Sequence, residues 1–329
     1  MKGTPKVLVT GANSLLGTHV IRELLHCGYA VRGLLRNVDD LKVLPDRNLE
    51  TFQGDFTELE VVEKAVLGCD YIIHIAAVTD PSLLNYREYE RVNTLAVEQL
   101  IAVAGRSEVK KFVFVSTANV FGYGDEDDPG HEEMPMAEPY TDFYYAMSKA
   151  EAHQLIFQFT HSIEVVAVNP TFMLGDFDSK PSSGRIITMA YKKRWIFCPP
   201  GGKNFIHVRD AAYGTVRALE VGESGESYLL TGENLSYRDF YLKLMAYTGQ
   251  KSLLISPPVW FLYALGMGGD LLRLLGIKIF VSLINMRIVC VKNFYRNDKA
   301  VEELGLKCRP IEKGIEDAVQ WFKKEGMLK

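Results

Sequence analysis

VLVTGANSLLG, residues 7–17, decides how the chain is read. An apolar run at 7–9 leads through Thr10 to Gly11, and from Leu15 the apolar residues take helical spacing. A strand turning on glycine into a helix lets backbone approach a ligand closely. The helix N-terminus then offers N–H donors and a positive dipole end to a phosphate. Gly11 permits the tight turn, and Gly17 permits close packing of helix on strand. The middle place, where a third glycine would leave room for a pyrophosphate, holds Ser14. Its side chain is small, its hydroxyl can donate to a phosphate oxygen, and it can cap the helix. Gly11, Asn13, Ser14, Leu15, Leu16 and Gly17 are therefore the expected pyrophosphate loop.

Outward from this stretch the chain alternates. KVLVTG, AVRGLLR, LETFQGD, DYIIHIAA, KKFVFVST and IEVVAVNP read as strands rich in Val, Ile and Leu. Between them, 17–28, 59–69, 89–107 and 144–159 have helical spacing. Nearly unbroken apolar strands between helices mean a parallel sheet covered on both faces, a doubly wound α/β fold. After Pro170 the alternation stops, and loops such as GDFDSKPSSG separate helices such as 186–194. The expected division is a dinucleotide-binding domain over 1–175, to which 205–222 return. Residues 176–204 and 223–329 would mainly form a smaller, mostly helical cap that binds substrate.

Bulk composition fits a globular enzyme of one large or two smaller domains, with 329 residues, 47% apolar and 24% charged. Lys and Arg number 37 against 41 Asp and Glu, a net charge of −4, which gives no footprint for nucleic acid. The five cysteines are scattered and form no C-x-x-C pair, which argues against a disulfide framework or a metal site and for a reducing, cytoplasmic setting. The N-terminal residues carry no signal-peptide pattern. Residues 253–291 are strongly apolar, but charges, prolines and glycines interrupt them. The expectation is buried helices without a membrane span, with an apolar substrate pocket or a peripheral membrane contact as the sharper reading.

The second strand ends GLLRN. Leu35 stands where an acidic residue would hold the ribose hydroxyls of NAD, and Arg36 follows. Arginine suits a 2′-phosphate through forked, charge-assisted hydrogen bonds, with Lys42 in reach to help, so NADP is expected and NAD is the alternative. Asp55 and Phe56 end the third strand, where an adenine can sit. Ala76 and Ala77 follow the fourth strand and leave room under a cofactor.

YYAMSK places Tyr145 and Lys149 four apart, on one helix face. A free phenol titrates near about 10, and an adjacent ammonium lowers that value, so the phenol can exchange protons near neutrality. Lys149 can also reach a nicotinamide ribose. The fifth strand delivers the hydroxyls of Ser116 and Thr117 to the same sheet edge, where a hydroxyl can meet developing negative charge.

With these motifs, and with RVN at 91–93, STANVFG at 116–122, NPTFMLG at 169–175 and FIHVRDAA at 205–212, the sequence resembles the extended short-chain dehydrogenase/reductase family over nearly its whole length. The resemblance implies that Tyr145 is the general acid/base and that Lys149 lowers its pKa and holds the ribose. Thr117 is the implied hydroxyl partner, with Ser116 the near alternative. Pro170 and Thr171 would lie along the nicotinamide, and Asn93 would belong to the cofactor side. Ser14 departs from the family's glycine.

Arg36 and the C-terminal apolar stretch look like the dihydroflavonol reductase and 3-beta-hydroxysteroid dehydrogenase type. That implies a carbonyl reductase for a small apolar substrate; the alternative is a nucleotide-sugar epimerase or dehydratase with tightly bound NAD. The family also implies a homodimer formed through helices 89–105 and 144–159.

Overall fold

A computed structural model of the chain describes residues 4–43 and 45–328. β1 (Lys6–Thr10) feeds α1 (Leu15–His26); β2 (Ala30–Leu35), β3 (Leu49–Gln53), α2 (Leu59–Val66), β4 (Tyr71–His74), α3 (Tyr86–Glu90) and α4 (Ala96–Gly105) follow. β5 (Lys111–Val115), α5 (Tyr144–Ile156) and β6 (Glu164–Pro170) complete the alternation. Beyond it come β7 (Phe172–Leu174), α6 (Arg185–Ala190), β8 (Trp195–Phe197), β9 (Gly202–His207), α7 (Val208–Val221), β10 (Ser227–Leu230), β11 (Glu233–Ser236) and α8 (Tyr237–Thr248). The chain ends with β12 (Leu253–Ile255), α9 (Val259–Leu274), α10 (Leu283–Cys290), β13 (Lys292–Asn293), α11 (Asp298–Leu304) and α12 (Ile311–Lys324).

The main sheet has seven parallel strands in the order β10-β6-β5-β4-β1-β2-β3. Its order reverses between β1 and β4, which opens a crevice at the carboxyl ends of the strands. Successive side chains take opposite faces. Val7, Val9, Val113 and Val166 pack with Val20 and Ile21 of α1 and Val216 of α7. Leu8, Ile72, Phe112 and Val165 pack with Val62 of α2, Leu100 of α4 and Ile156 of α5. Each such burial stabilises by about 1.5–3 kcal/mol, and two buried faces explain the unbroken apolar strands.

The cap is built on a second sheet, β11-β9-β13 with β7 on β9. Phe205 and Phe240 stack at its centre, 4.6 Å apart, with Phe322 of α12 also buried there. Three expectations shift. The helix expected over 186–194 ends at Ala190; Lys192 takes φ 53° and the chain turns into β8. The long helix over 89–105 is three pieces, with a π-helical turn at Arg91–Leu95 between α3 and α4. The main sheet also reaches past residue 223, because β10 pairs with β6 and α11 packs on α7 and β10.

Candidate active site

A cavity of about 570 Å³ opens along the carboxyl ends of the strands from β3 to β6. At one end lies the glycine turn. Gly11 has φ +67°, and a Cβ there would stand 2.8 Å from the Ala76 backbone nitrogen, so only glycine fits. A Cβ on Gly17 would stand 2.2 Å from the Gly11 carbonyl oxygen. Ser14 caps α1, its Oγ accepting the Gly17 N–H at 3.0 Å. That bond leaves the hydroxyl proton free to donate.

Asn13, Ser14, Leu15 and Leu16 line the cavity with Gly11, as do Arg36, Asp55, Phe56, Ala76, Ala77, Pro170 and Thr171. Arg36 is exposed at the rim, and its carbonyl accepts from the Gln53 amide at 3.2 Å. Asp55 turns one oxygen back to its own loop, accepting from the Thr57 N–H and hydroxyl. Asp40 approaches the Asn13 amide and the Lys180 ammonium, both at 3.5 Å.

Two expected residues stand off the cavity wall. Gly17 lies inside the helix–turn packing. Asn93 is fully buried: its amide takes the Val78 N–H at 2.8 Å and donates to the Val78 carbonyl at 2.9 Å and to Ser148 Oγ at 3.0 Å. Thr94 adds a bond to the Ser148 carbonyl. The π-turn thus pins the helix that carries Tyr145 and Lys149.

Those two side chains and Thr117 meet at the cavity's other end. The Tyr145 phenol is pushed up to about 12 by burial, and the Thr117 hydroxyl beside it pulls the other way. The lowering expected from Lys149 does not prevail over burial. The Lys149 ammonium donates to the Val115 carbonyl at 2.7 Å and lies 4.0 Å over the Phe114 ring. Burial without a carboxylate partner brings that lysine down to about 7. Ser116 also lines the cavity, and its buried Oγ has no partner among the described residues.

These features fit a dinucleotide on the structure's own terms. A helix N-terminus and a strictly glycine turn mark one end; an ammonium with no carboxylate partner among the described residues and an orphan hydroxyl mark the other. Sequence reading missed Lys203, Asn293, Ser182 and Ser183, which close the cavity from the cap. Lys203 lies 5.6 Å over Phe172 and is lowered to about 8 by burial. No local motif marks it, because the residues it faces come from other segments.

The model of the NAD dependent epimerase/dehydratase family matches residues 7–231. The chain belongs to that family. It is an NAD(P)-dependent enzyme of the extended short-chain dehydrogenase/reductase type.

Relatives in this family include sterol demethylase protein B of Methylococcus capsulatus, 27% identical over 327 residues, 98% of this chain and 99% of the relative. Dihydroflavonol 4-reductase of Zea mays is 28% identical over 208 residues, 57% of each chain. The crystal structure of gox2253 superposes with a TM-score of 0.86 at 27% identity, covering 99% of this chain and 100% of that one. Thermus thermophilus UDP-glucose 4-epimerase in complex with NAD shares the fold, with a TM-score of 0.76 at 19% identity over 97% of this chain and 99% of that one.

Proposed function

We propose that this enzyme is an NADP-dependent carbonyl reductase, and in reverse a secondary-alcohol dehydrogenase, for a small, largely apolar substrate. The observation that carries the reading is the meeting of Tyr145, Thr117 and Lys149 at the end of a dinucleotide-shaped cradle. Bound NADP(H) supplies the hydride or takes it back. Tyr145 gives its phenol proton to the substrate oxygen, and Thr117 donates a hydrogen bond to the same oxygen as charge develops on it. The Lys149 ammonium favours the phenolate left behind and holds the ribose. Arg36 takes the 2′-phosphate at the rim, and the loop from Gly11 to Leu16 takes the pyrophosphate. On the cap side Phe172 and Met173 give an apolar wall. Lys203 adds one cation, which favours an electronegative or acidic group on the substrate.

The test is consumption of NADPH with a panel of ketones. Tyr145→Phe is expected to lower turnover by roughly 10²–10⁴-fold while leaving NADPH affinity nearly unchanged. Wild-type turnover in that variant would refute the assignment. Protein that purifies with tight NAD and interconverts alcohol epimers without consuming NADPH would be an epimerase.

A further inference from the structure

We propose that the outer face of the cap, made by the β8–β12 ribbon and helix α9, docks on an anionic lipid bilayer. In the ribbon Trp195 pairs with Leu253 and Phe197 with Ile255. All four are exposed, while Ile196 between them is buried, as the two-residue period of a strand requires. The chain passes Pro257 and Pro258 into α9, where Trp260 is 71% exposed, Leu271 63% and Leu274 83%. With Met267 they form one stripe along the helix. The two charged residues of α9 turn the other way. Asp270 accepts the Leu283 N–H at 3.0 Å, and Arg273 donates to the Pro81 and Leu83 carbonyls at 3.2 and 2.9 Å. Gly266 and Gly269 press on the backbone of 281–283, so the inner side is the packed one. The helix therefore shows its apolar side outward, the reverse of what water selects.

The charge around this face identifies what covers it. Lys192, Lys193, Arg194, Lys251 and Lys278 are exposed on these segments, and the one acid of 187–204 and 250–280, Asp270, is tied to the Leu283 N–H. This is a basic local balance in a chain of net charge −4. An apolar centre with exposed tryptophans and a basic rim is the composition of an interfacial anchor for anionic headgroups. A second copy seated face to face would bring two such basic rims together with no acidic partner for either, which like-charge repulsion opposes. No helix among the described residues is long and apolar enough to cross a membrane, so α9 lies on the surface and does not span. The docking is independent of the reaction proposed above. Its geometry adds that Arg273 ties α9 to the segment after Val78 and Thr79, which line the cavity, so the lipid face adjoins the substrate side.

The experiment is flotation of the full chain with phosphatidylcholine vesicles, with and without phosphatidylglycerol. Tryptophan emission is followed in parallel, because two of the chain's three tryptophans, Trp195 and Trp260, lie on this face. The expected result is binding to the phosphatidylglycerol vesicles with a blue shift, weakened by salt. Trp260→Ser combined with Leu271→Ser changes exposed side chains only and is expected to lower partitioning about tenfold, with circular dichroism unchanged. Lys192→Ala with Lys193→Ala and Lys251→Ala is expected to weaken binding to the anionic vesicles. Absence of flotation, equal binding to both compositions, or a stable dimer that Trp260→Ser with Leu271→Ser dissociates would each overturn the proposal.

Discussion

At the scale of single residues, Ser14 and Lys149 carry the sharpest expectations. Ser14 Oγ already accepts the Gly17 N–H, so its first duty is to cap α1. Glycine at an N-cap costs only a few tenths of a kcal/mol, and it clears the same space for a pyrophosphate. Ser14→Gly is therefore expected to change NADPH affinity less than about threefold in a fluorescence titration. A loss of tenfold or more would mean that the hydroxyl donates to phosphate. Lys149 is held down to about 7 by burial, so its proposed role predicts a pH-dependent activity. Its ammonium is the form that favours phenolate. kcat/KM for NADPH, which reports on the free enzyme, should fall as pH rises through about 7. Lys149→Arg should carry that limb to much higher pH, and a flat profile from pH 6 to about 9 would remove Lys149 from the proton balance. Stability runs the other way. The unfolded lysine binds its proton up to about 10.5, so between about 7 and 10.5 the unfolded state holds more protons and the fold gains stability as pH rises.

At the scale of elements, the proposed preference for NADP rests on the end of β2. Leu35 is buried, and Arg36 points its charge to the rim. A guanidinium on a 2′-phosphate is a charge-assisted contact worth about 1.5–3 kcal/mol. Arg36→Ala is expected to raise KM for NADPH by roughly 10-fold or more while leaving KM for NADH within twofold. Equal weakening of both would end the 2′-phosphate role. The elements also show where sequence reading stops. β1, β4, β5 and β6 were legible because burial on both faces leaves their centres apolar, with polar residues only toward the ends. The π-turn at Arg91–Leu95 was not, since its apolar spacing still reads as helix; nothing in that spacing shows that Asn93 bonds Val78 and Ser148 from behind the cavity wall. The cap strands were also missed. β8, β12 and β13 have two or three residues each, too few to show a period. Lys203 gains its meaning only when β9 is laid beside β7 and β13.

At the scale of the whole molecule, buried neutral histidines tie the parts together. His153 of α5 bonds the Ser227 hydroxyl of β10 at 3.0 Å, which joins the helix bearing Tyr145 to the outermost strand. His207 ends β9 and meets Asp317 of α12 at 3.3 Å, which joins two parts of the cap. His74 bonds Thr10 at 2.8 Å under the glycine turn. Burial holds His153 and His207 down to about 4, and His74 well below its ordinary value; Lys149 adds to the effect at His153 and His74, while Asp317 opposes it at His207. The sign follows from linkage. Each is neutral in the fold and takes a proton at about 6.5 when unfolded, so stability falls as pH drops from about 6.5 toward 4. A shift of one unit is worth about 1.4 kcal/mol, so by pH 5 His153 and His207 have each removed on the order of 2 kcal/mol, and His74 acts in the same direction. Thermal scans are therefore expected to place Tm roughly 5–10 °C lower at pH 5 than at pH 7. His153→Gln keeps an acceptor for Ser227 but cannot titrate, and it should recover about a third of that drop. A Tm unchanged between the two pH values, or a drop that His153→Gln leaves intact, would show that the α5–β10 seam does not carry the acid sensitivity of the fold.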